Sequence, residues 1–186
     1  IEAGRLEFNR DAEDIHMFVE AELTRRIGDA GKRVHTARSR NDQVALDFRL
    51  YLKREAIEIK GQILELMKVI LKLAEGGIDV IMPAYTHLQR AQPTTFAHYM
   101  MAYANMLLRD VTRLADCLER MDECPLGSGA LTSTTYPIDR LRVARELGFA
   151  RVTQNSLDGV SDRDFAIEFM GCISILMMHL SRLSEE

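Results

Sequence analysis

The sequence lacks the features that mark several large classes of protein. It has only three cysteines, Cys117, Cys124 and Cys172, too few and too scattered for a disulfide framework or a metal site. No run of about 18 apolar residues occurs, so we expect no membrane span. Nothing near the first residue resembles a signal peptide. We therefore expect a cytoplasmic protein with reduced, buried cysteines and with no bound metal or cofactor.

Excess positive charge is also absent. The formal net charge is −4 at pH 7, which argues against general nucleic-acid binding, because that function needs basic surfaces. The net charge does not argue against a small anionic substrate, since such a ligand is recognised by a few local groups.

Apolar residues recur at helical spacing, and no run alternates convincingly with the period of two that is typical of a strand. This pattern predicts an all-α fold. The interval between residues 78 and 93 is expected to be a loop, and helices are predicted over residues 11–27, 41–75, 93–123, 137–147 and 161–186.

The predicted helix over residues 41–75 has two apolar stripes. One passes through Leu52, Ile63 and Ile70, and the other through Leu50, Ile57, Leu64 and Leu71. Two stripes indicate burial against more than one neighbour. At a rise of 1.5 Å per residue the helix would be about 50 Å long. This length favours an elongated bundle or the core of an oligomer.

The segment before this helix, residues 36–42, reads Thr-Ala-Arg-Ser-Arg-Asn-Asp. A helix N-terminus presents free backbone N–H groups that suit carboxylates and phosphates. Arg40 adds a bidentate donor, and Ser39 and Asn41 add neutral donors. The alternative is that Asn41 only caps the helix while the arginines lie in solvent.

Two further segments concentrate polar residues. Residues 85–93 contain His87, which could transfer a proton near neutral pH or could be purely structural. Residues 127–135 are rich in Gly, Ser and Thr, as in a substrate or phosphate loop, but do not match the P-loop pattern. Together the three segments indicate a site for a small molecule that bears carboxylates.

Several segments resemble argininosuccinate lyases, a family of the aspartase/fumarase superfamily. The strings Ser-Arg-Asn-Asp (39–42) and Thr-His-Leu-Gln-Arg-Ala-Gln-Pro (86–93) are specific to this family in combination. Residues 155–165 also match the family, as do residues 13–16 and 125–130, so the resemblance covers nearly the whole chain in the right order.

The resemblance implies a truncated bundle of long helices from a homotetramer whose active sites are shared between subunits. Residues 1–39 would be the tail of an N-terminal domain, and residues 40–186 the first part of the helical domain. The implied reaction, a step of arginine biosynthesis, is β-elimination of argininosuccinate to arginine and fumarate.

The resemblance also implies roles for individual residues. Asn41 and Thr86 would bind substrate, with Ser39 and Arg40 beside them. His87 matches the proton donor of the family, although no carboxylate partner for it is evident from the sequence. His16 is a weaker candidate for the site.

Two departures from the family pattern matter. A Gly-Ser-Ser-rich loop continuing to Met-Pro and Lys, which supplies the catalytic base in the family, is absent from this sequence. We therefore expect a piece of a longer protein that is inactive alone. Residues 131–133 read Leu-Thr-Ser where the family more often has small residues. The alternatives are another fumarate-releasing lyase, such as one acting on adenylosuccinate, and a non-catalytic scaffold like the lens crystallins recruited from this family.

Overall fold

The computed structural model of the chain describes residues 6–8 and 11–185, and three long helices form its framework. These are α3 (Arg40–Gly76), α4 (Phe96–Met121) and α7 (Asp164–Glu185). The shorter elements are α1 (Ile15–Ile27), α2 (Asp29–Lys32), a 3-10 turn (Arg33–His35), α5 (Arg140–Glu146), α6 (Ser156–Ser161) and the strands β1 (Ile81–Thr86), β2 (Gln89–Thr95), β3 (Glu123–Cys124) and β4 (Arg151–Val152). The predicted helical fold class is confirmed.

The core lies where the three long helices pack against one another. Each contributes one apolar stripe, because residues three and four apart share a helix face. The buried members include Leu52, Ile63 and Ile70 of α3, Tyr103, Leu107 and Leu114 of α4, and Phe165, Phe169 and Leu176 of α7.

The second stripe predicted on α3 is covered by the described residues only at Leu50, which packs partly buried against a small cluster that includes Phe149. Ile57, Leu64 and Leu71 are 55%, 40% and 41% exposed. A row of exposed apolar side chains along one helix face is typical of a surface that another chain or segment covers.

Helix α7 is also apolar and is buried on one side only. It is the one helix among the described residues that could cross a membrane by length and composition, although no apolar run had predicted a span. One such helix is weak evidence, because core helices of soluble proteins pass the same test. Two polar contacts to α4, Arg120 with Glu168 and Asp110 with His179, favour packing within protein.

The prediction of a loop over residues 78–93 is wrong. Strands β1 and β2 form an antiparallel hairpin there, with Thr86 opposite Gln89 and an irregularity between Pro83 and Tyr85. Nine of the thirteen strand residues of the hairpin are exposed, the other four are partly buried, and none is fully buried. Because neither face is buried, the alternation that would reveal a strand is missing.

Helix boundaries follow capping side chains. Ser39 caps α3, so the alternative in which Asn41 is the cap is wrong. Thr95 caps α4, which therefore begins three residues later than predicted, because residues 93–95 belong to β2. Helix α6 was not predicted, and α7 follows it at Asp164.

The three cysteines are free, as expected. Cys117 and Cys124 are buried, whereas Cys172 is partly exposed. Burial raises the pKa of the Cys117 thiol to about 12. Such thiols are unreactive at neutral pH.

Candidate functional site

Residues 36–42 meet residues 127–130 at the start of α3, and we call this group the α3 N-terminal cluster. The Ser39 hydroxyl accepts a hydrogen bond from the Asn41 backbone N–H at 3.2 Å. In return, the Ser39 backbone N–H donates to the Asp42 carboxylate at 2.9 Å, completing a capping box. The first turn of α3 is therefore held rigidly by its own sequence.

Asp42 is the residue of this cluster to which sequence reasoning assigned no role. Its carboxylate is fully buried and accepts hydrogen bonds from the backbone N–H groups of Gly127 at 2.9 Å and Gly129 at 2.8 Å. The capping-box spacing from Ser39 was the one local signal. It could not reveal partners more than 80 residues away.

Asn41 lies at the exposed rim of the cluster. Its side-chain amide donates to the Ala130 carbonyl at 3.3 Å. The amide is therefore oriented by the loop while it stays accessible to a ligand, as the predicted substrate-binding role requires.

Arg40 is held by carboxylates of the α1 region. It contacts Glu20 at 3.1 Å and Asp14 at 3.2 Å, and it donates to the Gln43 amide oxygen at 2.6 Å. Its side chain is 27% exposed. Arg40 thus lies beside the cluster, but its donors are largely occupied by its own chain.

Glu20 also binds two other cationic or ionisable groups, Arg38 at 2.9 Å and His35 at 3.1 Å. Burial alone would raise the pKa of the Glu20 carboxyl. The hydrogen bonds from these two side chains and from Arg40 outweigh burial and lower the pKa from 4.5 to about 2. The carboxylate is therefore ionised at any physiological pH and ties α1 to the start of α3.

His16, the weaker candidate, lies at this same end of the molecule. Its Nδ1 is 3.2 Å from the Asp47 carboxylate and 3.1 Å from the Gln43 side-chain nitrogen. Burial raises the pKa of Asp47 more than the nearby His16 and arginines lower it.

The segment of residues 155–165 also reaches the α3 N-terminal cluster. A side chain at Gly159 would come within 3.0 Å of the Ser128 hydroxyl and 2.6 Å of the Thr153 hydroxyl. A glycine is therefore required for this close packing. Asp162, at the end of α6, forms an ion pair with the buried Arg49 of α3.

Thr86 and His87 lie at the tip of the hairpin, which we define as residues 86–89. His87 and Leu88 connect the two strands with positive φ angles of 51° and 62°. Two consecutive left-handed residues are typical of a type I′ turn, which favours Asn-Gly. A His-Leu pair strains this turn, and such strain is concentrated at functional sites.

The hairpin tip is exposed on every side. Leu88 is 94% exposed. In the part of the chain that the structure describes, no carboxylate or other side chain is hydrogen-bonded to His87. The missing carboxylate partner is therefore not supplied by these residues.

The two groups of predicted site residues are far apart. Helix α3 has 37 residues, so its ends are about 55 Å apart. The hairpin follows its C-terminal end, and strands of this length reach back no more than about 20 Å. Residues 77–80 add to this reach, so the whole segment from Gly76 to Thr86 could return by at most about 34 Å. The structure thus brings Ser39, Arg40 and Asn41 together but keeps Thr86 and His87 at least about 20 Å from them.

Within the described ranges, no group of three or more His, Cys, Asp or Glu side chains is placed to hold a metal ion. The absence of a metal and of a cofactor stays a prediction.

A family model described as "Lyase" matches residues 2–186. The chain belongs to the lyase family. Argininosuccinate lyases of Ruminiclostridium cellulolyticum, Heliobacterium mobile and Geobacter sulfurreducens are 65%, 62% and 61% identical to it over 186 residues. The resemblance predicted from the motifs is confirmed. The chain spans 40% to 41% of the length of these relatives.

Solved structures of the lyase family have the same fold. A crystal structure of EDDS lyase in complex with formate matches 90% of this chain and 34% of its own, with a TM-score of 0.87 and 31% identity. A variant of EDDS lyase with bound fumarate matches equally well. The aspartase/fumarase type of helical fold is therefore confirmed. The roles of individual residues and the domain boundary at residue 39 stay predictions, and residues 1–5, 9–10 and 186 lie outside the described ones.

Proposed function

We propose that this chain is part of an argininosuccinate lyase that cleaves argininosuccinate to arginine and fumarate. The relatives named argininosuccinate lyase, at 61–65% identity across the whole chain, support this substrate. The fumarate bound by the EDDS lyase variant supports the product. A cytoplasmic location, as part of arginine biosynthesis, belongs to the same proposal.

The observation that carries the proposal is the separation of the α3 N-terminal cluster from the hairpin tip. Each group presents exposed polar side chains, and neither contains a complete set of catalytic groups. One chain cannot join Asn41 to His87, because α3 lies between them. We infer that the protein is a homotetramer in which the hairpin tip of one subunit reaches the cluster of another. The uncovered stripe of Ile57, Leu64 and Leu71 offers a surface for that assembly.

Both groups contribute side chains that can bind the carboxylates of the substrate during a β-elimination. The Asn41 amide can donate to a substrate carboxylate, as can the Thr86 hydroxyl. Donors placed there also stabilise the extra negative charge that develops when the Cβ proton leaves and the carbanion is held as an aci-carboxylate.

His87 would act on the leaving group. The electron pair of the carbanion forms the C=C bond of fumarate as the C–N bond breaks, and the departing guanidino nitrogen takes a proton from His87. The base that removes the Cβ proton would come from the Gly-Ser-Ser signature loop, which these 186 residues do not contain. We therefore propose that the 186-residue chain alone does not catalyse the cleavage of argininosuccinate.

The sharpest experiment mixes two inactive full-length variants. His87→Ala and Asn41→Ala tetramers are each dissociated, mixed, reassociated and assayed for fumarate released from argininosuccinate. Roughly a quarter of the sites in a random mixture should combine an intact His87 with an intact Asn41 from different subunits. Each variant carried through the same procedure alone serves as the control.

Recovery of activity in the mixture supports shared sites. No recovery, from variants that do exchange subunits, would place both groups in one subunit and contradict the proposal. If the wild-type enzyme releases fumarate from adenylosuccinate but not from argininosuccinate, the proposed substrate is wrong and adenylosuccinate takes its place.

A further inference from the structure

Asp42 is a fully buried carboxylate for which the proposed reaction has no direct use. One carboxylate oxygen accepts the Ser39 backbone N–H at 2.9 Å. The other accepts the backbone N–H groups of Gly127 and Gly129, at 2.9 Å and 2.8 Å. A carboxylate without access to water is costly unless its oxygens are hydrogen-bonded, and three N–H donors meet that requirement.

The loop at residues 127–130 is shaped to bind this carboxylate. Gly127 and Gly129 have φ angles of 97° and 64°, a left-handed backbone that L side chains rarely adopt. Alternating curvature of this kind turns nearby N–H groups toward one point and forms an anion-binding nest. In this chain the anion in the nest is the side chain of Asp42.

The bond between Asp42 and the nest fixes three distant segments relative to one another. It holds the first turn of α3, which carries Asn41, against the loop whose Ala130 carbonyl orients the Asn41 amide. Ser128, between the two bound N–H groups, is fully buried and packs against Gly159 of α6. The geometry of the exposed rim therefore depends on one buried carboxylate.

We propose that Asp42 is a positioning residue that sets the Asn41 amide and the residue 127–130 loop where a substrate carboxylate binds. This inference rests on the proposed lyase function. Asp42 does not touch substrate and acts only through its neighbours. A displacement of about 1 Å in such a site can cost 100-fold in rate.

The test is the steady-state kinetics of full-length Asp42→Asn on argininosuccinate, with Asp110→Asn as the matched control. Asp110 is 1% exposed and pairs with His179 between α4 and α7. Both substitutions keep the side-chain size and remove one buried charge. We expect Asp42→Asn to lower kcat/KM about 100-fold, mostly through kcat. Asp110→Asn should lower the melting temperature and leave kcat and KM unchanged.

Amide hydrogen exchange at Gly127 and Gly129 gives an independent readout, which we expect Asp42→Asn alone to accelerate. A merely structural role would reduce the folded fraction but leave kcat and KM of the folded enzyme intact. Wild-type kinetics in folded Asp42→Asn would thus overturn the inference and leave the proposed function standing. A wild-type enzyme that releases no fumarate would overturn the proposed function, and the inference with it.

If Asp42→Asn does not fold, Gly127→Ala tests the same bond from the loop side. Its Cβ would meet the side chains of Arg140 and Ile138 at 2.8 Å and would be strained at a φ angle of 97°. The same fall in kcat/KM supports the inference, and unchanged kinetics with faster exchange at Gly129 overturns it.

Discussion

The two ends of α3 present their polar groups in opposite ways. At the N-terminal end, Asn41 stands on a turn secured by the buried Asp42 and by a loop from another part of the chain. At the C-terminal end, His87 lies on a strained turn, and Leu88 beside it is 94% exposed. A strained conformation persists only where its surroundings hold it. One end is thus ordered by its own chain, whereas the other would be held by a neighbouring subunit in the assembly proposed above.

The largest decrease in the free energy of unfolding is expected from Arg49→Met, in the N-terminal part of α3. Arg49 is 3% exposed, pairs with Asp162, donates to the Met121 carbonyl and lies 4.3 Å from the centre of the Phe165 ring. Loss of one partner of a buried ion pair costs about 3–5 kcal/mol. Denaturant unfolding should show this decrease.

The control for that variant is Arg54→Met on the same helix. Its side chain is 72% exposed, so the free energy of unfolding should change by less than about 0.5 kcal/mol. Equal effects of the two substitutions would mean that the buried contacts of Arg49 do not stabilise the N-terminal part of α3.

A smaller effect, this time an increase in stability, is expected from Leu88→Gly at the hairpin tip. Leu88→Gly removes the steric cost of a left-handed residue, about 1 kcal/mol, and glycine is favoured at this position of a type I′ turn. Hydrogen exchange of the β1 and β2 amides should slow about fivefold in the isolated chain. Leu71→Gly, on exposed helical backbone, should instead destabilise its surroundings. Unchanged exchange in Leu88→Gly would show that the turn is not strained.

The smallest effect is a pH dependence set by Glu20. Because the pKa of Glu20 falls from 4.5 to about 2 on folding, its stabilisation is complete above pH 4.5 and is lost as the pH falls toward 2. Because Glu20 and its partners are partly exposed, solvent screening makes the effect smaller than the pKa shift alone would imply. The free energy of unfolding of Glu20→Gln should lie below wild type by less than about 1 kcal/mol near pH 6. The two curves should converge toward pH 2. A constant difference across this range would mean that the carboxylate is not what ties α1 to α3.

Local patterns predicted much of the fold. The stripe through Leu52, Ile63 and Ile70 lies in the core because helical periodicity is a property of neighbouring residues. The hairpin was missed because its two faces are both exposed. No alternation of polar and apolar residues then marks the strands around Tyr85 and Arg90.

The candidate site was predictable only where its members are adjacent in sequence. Ser39, Arg40 and Asn41 were expected together and lie together. The role of Asp42 depends on Gly127 and Gly129, and nothing local links those positions to it. The separation of Asn41 from His87 follows from the predicted helix over residues 41–75, which lies between them. The position of His87 at the tip of a hairpin was missed because residues 78–93 were expected to be a loop.

The uninterrupted length of α3 has an evolutionary consequence. If active sites form between subunits, the length of this helix sets the distance between the α3 N-terminal cluster and the hairpin tip in every subunit of the assembly. Deleting one residue would rotate everything beyond it by about 100°. Removing seven would nearly preserve the facing of the apolar stripe but would shorten the helix by about 10 Å. Insertions and deletions should therefore be excluded from α3 and accumulate in loops, unless matching changes arise in every helix packed beside it.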